Sequence, residues 1–182
     1  VNSGKALYVG LSNYDGEHLE KAVAILDDLK CPFIINQNRY SIFDRTIENN
    51  GLKNTAEKLG KGIIAFSPLA QGMLTERYLN GIPCDSRVKK DGRFLKENAL
   101  TKERIMQIEQ LNALAEERGQ SLAEMALAWV LKDHSVTSVL IGASKPSQIL
   151  DNIRAIQNTS FCEEELEKIE NIYLMNPDYT TR

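Results

Sequence analysis

Cysteine and histidine are scarce: three and two respectively in 182 residues. Cys31, Cys84 and Cys162 are scattered, odd in number and outside any CxxC spacing, which suits free thiols in a reducing compartment. With His18 and His134 as the sole imidazoles, a structural zinc site is not expected. Long apolar runs are missing as well. None approaches the ~20 residues a bilayer span needs, and the opening VNSGKALYVGLS lacks the h-region of a signal peptide. Charge of one sign is not in excess: 22 Lys and Arg against 25 Asp and Glu leave a net charge of −3, too weak a field to draw in a phosphate backbone. These absences imply a soluble, cytoplasmic protein with neither nucleic acid nor membrane as partner. What is present, 42% hydrophobic and 26% charged residues, is enough for a packed core and excludes disorder.

Hydrophobic patterning predicts a short strand at Ala6–Gly10 and a helix at Glu17–Leu29 with Leu19, Val23 and Leu26 on one face. A second strand follows at Phe33–Ile35, then a polar loop and a helix at Leu52–Leu59. A third strand at Gly62–Phe66 is almost wholly apolar, as in a parallel sheet covered on both faces. Strand starts at Leu7, Phe33 and Gly62 lie 26 and 29 residues apart, a βα spacing. The pattern fails from about residue 67 to 100, a stretch too long for a routine connection. Thr101 then caps a helix to Arg118, stopped by Gly119, and Ser121 caps another to Lys132 with Leu122, Met125, Ala126 and Trp129 inward. A fourth strand is expected at Thr137–Ile141, a helix opening at Gly142–Ser144 and running to Ile156, and a last helix from Cys162, with fraying after Met175.

Such alternation means α/β with a parallel sheet, either doubly wound or a (β/α)8 barrel. No GxGxxG follows a strand, since Gly10 and Gly16 do not make that fingerprint, which counts against a Rossmann sheet. A barrel takes roughly 250 residues and eight units, so four strands mean half of one. The first residue is Val rather than Met and the first strand begins almost at once, which fits a segment of something longer.

Ligands of parallel α/β proteins lie at the carboxyl ends of the strands. There the chain places Ser12 and Asn13, Gln37, Ser67, and Ser144 with Lys145. Hydroxyls and amides at four successive ends suit a polar ligand that needs hydrogen bonds more than acid–base chemistry. In GASKPSQILDNI, Ser144 is read as the N-cap and Lys145 and Pro146 as the first turn, so that free N–H groups, the helix dipole and an ammonium would hold a phosphate. Gln148 and Asn152 share that helix face and would reach a purine edge. Plain capping with a solvated lysine is the competing reading. Ser67, the backbone from Leu69 to Gly72, and Arg77 suit a pyrophosphate, or else form an ordinary loop. Phe66 would stack on a flat ring or simply pack in the core, and Arg87 would reach over a diphosphate or stay solvated.

Catalytic groups are not apparent. His18 and His134 are not expected at a strand carboxyl end, and Glu116 and Glu117 read as a solvated helix face. Tyr40 and Tyr14 are the tyrosines near the site, and no lysine at a neighbouring strand end would depress the Tyr40 pKa.

The blocks GLSNY at 10–14, NQNRYS at 36–41, IAFSPLAQGMLTERY at 64–78 and VLIGASKPSQILDNI at 139–153 together resemble the aldo-keto reductases. Their order matches the C-terminal half of that (β/α)8 barrel, so that residues 1–182 form a single partial domain, the fifth to eighth βα units plus the final helix, with a long cofactor loop at about 67–100. The long loop resembles the branch of bacterial glyceraldehyde 3-phosphate reductases and potassium-channel beta subunits. The resemblance implies that Ser12, Asn13 and Gln37 hold a nicotinamide carboxamide and that Phe66 stacks on its ring. It places Ser67, Leu69, Gln71, Arg77 and Arg87 at the pyrophosphate, Ser144 and Lys145 at a 2′-phosphate, favouring NADPH, and Gln148 and Asn152 at the adenine. The family's Tyr, Lys, Asp and His tetrad lies on the four strands not present, so no catalytic residue is assigned and the isolated chain is expected to be inactive. A small carbonyl substrate would be taken only with the missing half. The alternatives are an NADPH-sensing regulatory module, as the channel beta subunits illustrate, or a non-functional gene fragment. Half a barrel exposes two sheet edges, which pairing with a complementary half, or with itself as a homo-oligomer, would bury.

Overall fold

The computed structural model describes residues 1–79, 81 and 99–177. Among them lie four strands, β1 (Val9–Ser12), β2 (Phe33–Arg39), β3 (Gly62–Phe66) and β4 (Ser138–Val139). Seven α-helices accompany them: α1 (Gly16–Asp28), α2 (Thr46–Asn49), α3 (Leu52–Lys58), α4 (Lys102–Glu117), α5 (Leu122–Leu131), α6 (Pro146–Arg154) and α7 (Glu163–Leu174). The strands form one parallel sheet in the order β1-β2-β3-β4.

Successive right-handed crossovers between neighbouring parallel strands put every connecting helix on the same side, and burial follows that rule. Ile63 and Ala65 point to the helices and are fully buried, as are Leu19 of α1, Leu52 of α3, Leu111 of α4, Met125 of α5 and Ile169 of α7. On the opposite face Gly10, Ser12 and Ser138 are exposed and Gln37, Arg39, Ile64 and Phe66 half-buried. A parallel sheet coated on one side and open on the other is part of a (β/α)8 barrel, as the sequence implies. The close approach of α1 to α3 requires Gly16, where a Cβ would lie 2.7 Å from the Gly51 carbonyl oxygen and 2.8 Å from Thr55 Oγ1.

Several boundaries differ from the expectation. The first strand begins at Val9, not Ala6, because its first ladder bond is Val9 N–H to the Pro32 carbonyl at 2.9 Å; Leu7 and Tyr8 stand exposed before it. The second strand continues through the polar residues Asn36–Arg39, because β3 runs alongside and supplies its ladder. The fourth is shorter than expected, two residues flanked by Thr137 N–H to Ile63 O and Leu140 N–H to Ala65 O, both 2.8 Å. The helix after β4 starts at Pro146 with Lys145 as N-cap, not Ser144, and gives way to a 3-10 turn at Ala155–Gln157. A short helix, α2, was not anticipated. The caps at Thr101 and Ser121 are where expected, Ser121 in a reciprocal box with Glu124. Most of the long loop, Arg87 and Cys84 included, and the end of the tail after Met175 lie outside the described residues.

Candidate functional site at the strand carboxyl ends

Six non-glycine residues among those described have positive φ, and four of them follow β1 or β3: Asn13 (60°), Ser67 (53°), Ala70 (47°) and Gln71 (61°). Backbone held in this costly region tends to cluster where function demands it. The rest of the segment accounts for how it is held. The Asn13 N–H and the Ser12 hydroxyl both donate to the Gln37 carbonyl, at 2.9 and 3.2 Å, which ties the end of β1 to that of β2. Behind the sheet, Asn36 and Asn38 both donate to the Tyr14 carbonyl, at 3.4 and 3.1 Å, and Asn36 also to Asn38 Oδ1 at 2.6 Å. This brace was not anticipated; its only sequence signal is two asparagines two apart inside a strand, and thus on one face. The intervening Gln37 therefore points to the open face.

At the end of β3, Phe66 lies opposite Arg39 in the ladder, and the Arg39 guanidinium sits 5.6 Å from the Phe66 ring centroid. Past the strand, Gln71 Nε2 donates to Ser67 Oγ at 3.0 Å, and the Leu69 carbonyl accepts from Gly72 and Leu74 at 2.8 and 3.2 Å. Arg77 follows in a 3-10 turn capped by Thr75. Ser67, Leu69 and Gln71 thus form one compact turn next to Phe66, with Arg77 exposed at its far end.

Beyond β4, Ser144 and Lys145 are exposed. Gln148 Oε1 accepts from Ser144 N–H at 2.8 Å, Ser144 Oγ at 3.2 Å and Lys145 N–H at 3.3 Å. The Gln148 carboxamide oxygen is therefore engaged in holding its own loop, which leaves its amide nitrogen as the group to reach outward. Asn152, one turn on, is 9% exposed. The structure thus joins Ser12, Asn13 and Gln37 in one cluster, Phe66, Ser67, Leu69 and Gln71 in a second, and Ser144, Lys145 and Gln148 in a third.

Tyr40 is not an acid at this site. It is fully buried on the helix side, donating to Glu48 and accepting from Lys132 Nζ at 3.2 Å. Burial and the Glu48 carboxylate push its hydroxyl well above the usual phenolic range. A lysine does meet this tyrosine, from the C-terminal end of α5 and not from a strand end. The same burial lowers Lys132 to a pKa of about 8. His18 is exposed in the first turn of α1, with Nδ1 2.7 Å from Asp15 Oδ1. Among the described residues no group of three or more His, Cys, Asp or Glu is placed to hold a metal, and no helix is long and apolar enough to cross a membrane.

Comparison with known proteins identifies the family. The Aldo/keto reductase family model matches residues 1–174. The L-glyceraldehyde 3-phosphate reductases of Escherichia coli O157:H7 and of Escherichia coli strain K12 are each 47% identical over 173 residues, 93% of this chain and 50% of the relative. The chain accordingly spans about half the length of the curated relatives it matches. With a family match over nearly all of its residues and a parallel α/β unit to go with it, the chain belongs to the aldo/keto reductase family.

Proposed function

We propose that this chain carries the cofactor half of an NADPH-dependent oxidoreductase that reduces an aldehyde or ketone to an alcohol, the fifth to eighth βα units of the barrel. The supporting observation is the donor set on the open face: hydroxyl and amide groups of Ser12 and Gln37, the ring of Phe66 beside them, and the ammonium of Lys145 at the N-terminal end of α6. These fit the three chemically distinct parts of the cofactor. A carboxamide takes and gives hydrogen bonds, a nicotinamide ring stacks, and a phosphate takes a cation and helix N–H groups. When bound, the cofactor supplies the hydride. Ser12, Asn13 and Gln37 would orient the carboxamide; Ser67, Leu69, Gln71 and Arg77, with Arg87, would enclose the pyrophosphate; Ser144 and Lys145 would hold the 2′-phosphate, with Gln148 and Asn152 at the adenine. The named activity of the relatives makes a short phosphorylated aldehyde the substrate class favoured here.

Tyr40 is not suited to protonating a nascent alkoxide, since it is buried away from the open face and its pKa is raised. The purified chain is therefore expected to bind cofactor without turning over aldehyde. Titration with NADPH followed by nicotinamide fluorescence tests this, because Trp129, 2% exposed on the helix side, is poorly placed to report. Saturable binding is expected, with Lys145→Ala weakening NADPH about tenfold and NADH hardly at all. Equal loss for both cofactors would refute the 2′-phosphate assignment, and absence of NADPH binding by folded chain would refute the cofactor reading.

A further inference from the structure

We propose that Asn38, with Asn36 beside it, is a positioning residue for the nicotinamide end of the cofactor: it holds the Tyr14 carbonyl and, through it, sets the direction of Asn13; this rests on the cofactor reading above. Both asparagines lie on the helix side of β2, Asn36 fully buried and Asn38 6% exposed. In the ladder they stand opposite Ile63 and Ala65 of β3, which are apolar and fully buried. Apolar side chains at 36 and 38 would suit that layer better, because a buried amide is costly unless each of its polar atoms is paired. Here the pairing is incomplete: among the described residues the buried Asn36 Oδ1 has no hydrogen-bond partner. Packing therefore does not account for the two asparagines, whereas the destination of their N–H groups does.

Asn38 Nδ2 donates to the Tyr14 carbonyl at 3.1 Å, and Asn36 Nδ2 donates to the same carbonyl at 3.4 Å and to Asn38 Oδ1 at 2.6 Å. The other end of the turn is tied by the Asn13 N–H, which donates to the Gln37 carbonyl at 2.9 Å. Asn13, with φ of 60°, lies between the two ties. Left-handed backbone is disfavoured for any residue with a Cβ, least so for asparagine, and it persists while both ends of the turn are fixed. Releasing the Tyr14 carbonyl lets the turn relax and swings the exposed Asn13 side chain away from Ser12 and Gln37. Ser144 and Lys145, assigned to the 2′-phosphate, follow β4 at the opposite edge of the sheet. Loss of the brace is thus felt at one end of the cofactor, whereas a general loss of stability would not tell the two ends apart.

The test is calorimetric titration of the purified chain with NADPH and with adenosine 2′,5′-bisphosphate, which carries the adenine and the 2′-phosphate without the nicotinamide. Asn38→Leu is expected to weaken NADPH about tenfold and to leave the bisphosphate within about twofold. In an Asn13→Ala background, where no amide is left to place, the same substitution is expected to cost NADPH under about threefold more. Asn38→Ala, which adds no branched carbon behind the sheet, carries the same comparison where Asn38→Leu does not fold. Unchanged NADPH affinity in a folded Asn38 variant, equal loss for both ligands, or the full loss retained in Asn13→Ala overturns the positioning role alone. Failure of NADPH to bind the wild-type chain overturns the cofactor reading and this role with it.

Discussion

Replacing Lys132 by Met should change how the stability of the chain depends on pH, and the size of the change follows from where the ammonium sits. Its side chain is 16% exposed, with Nζ 3.6 Å from the Trp129 ring centroid, 3.2 Å from Tyr40 Oη and 4.0 Å from Asp133 Oδ2. Burial lowers its pKa from 10.5 to about 8; Asp133 and Glu48 act against the shift, Lys53 and Arg45 with it. Between those two values the unfolded chain binds a proton that the folded chain has released, so stability must rise with pH across the window. At about 1.4 kcal/mol per pKa unit, charging Lys132 costs the fold about 3 kcal/mol at pH 7, of which about 2 kcal/mol is relieved by pH 9.5. Tyr40 acts in the opposite sense, since a raised folded pKa loses its contribution only above the unfolded value of about 10, and the comparison therefore stops at 9.5. Met keeps the apolar stem packed on Trp129 and has nothing to titrate. Urea unfolding of both proteins at pH 7.0 and 9.5 should show wild type gaining about 2 kcal/mol on Lys132→Met, with unchanged urea dependence. A difference that stays flat across this range would mean a solvated lysine, and the packing of α5 against Tyr40 described above would be wrong.

Arg45 is 7% exposed and sandwiched between Trp129 and Tyr173, at 4.7 and 4.2 Å from the ring centroids, with Nε donating to the Ile42 carbonyl and Nη1 paired with Glu170. Arg45→Met should cost about 3 kcal/mol in chemical denaturation, whereas Glu170→Gln, with a half-exposed carboxylate, should cost under about 1 kcal/mol. Equal losses would mean that the ion pair, and not the stacking, holds the arginine. Gly16→Ala should cost about 2 kcal/mol by forcing α1 from α3, read as a lowered urea midpoint; no change would refute the close approach of the two helices.

Periodicity and capping are local properties, and what depends on them was legible. The bounds of β3, the caps at Thr101 and Ser121 and the inward sets of α1 and α5 are the same in sequence and structure, because each follows from residues within two or three turns of one another. The polar residues at the strand ends were legible for the same reason: strand followed by hydroxyl or amide is a feature of contiguous sequence. Helix α2 has no signature in the sequence, because four residues carry too little periodicity to register.

The extension of β2 through Asn36–Arg39 was not legible, since polar residues in a strand read as loop until a neighbouring strand and the Tyr14 carbonyl are in place to satisfy them. Nor was the contact of Tyr40 with Lys132, 92 residues apart, or the placement of Arg39 over Phe66. The class of fold, the order of its units and the polar residues that follow each strand can be read from contiguous residues, because hydrophobic spacing and short motifs act over a few positions. Tertiary contacts are needed to say which of those ends share a face, which amide turns to the open side and which braces the backbone, and which lysine loses its water, because those depend on the register of strands brought together from distant parts of the chain.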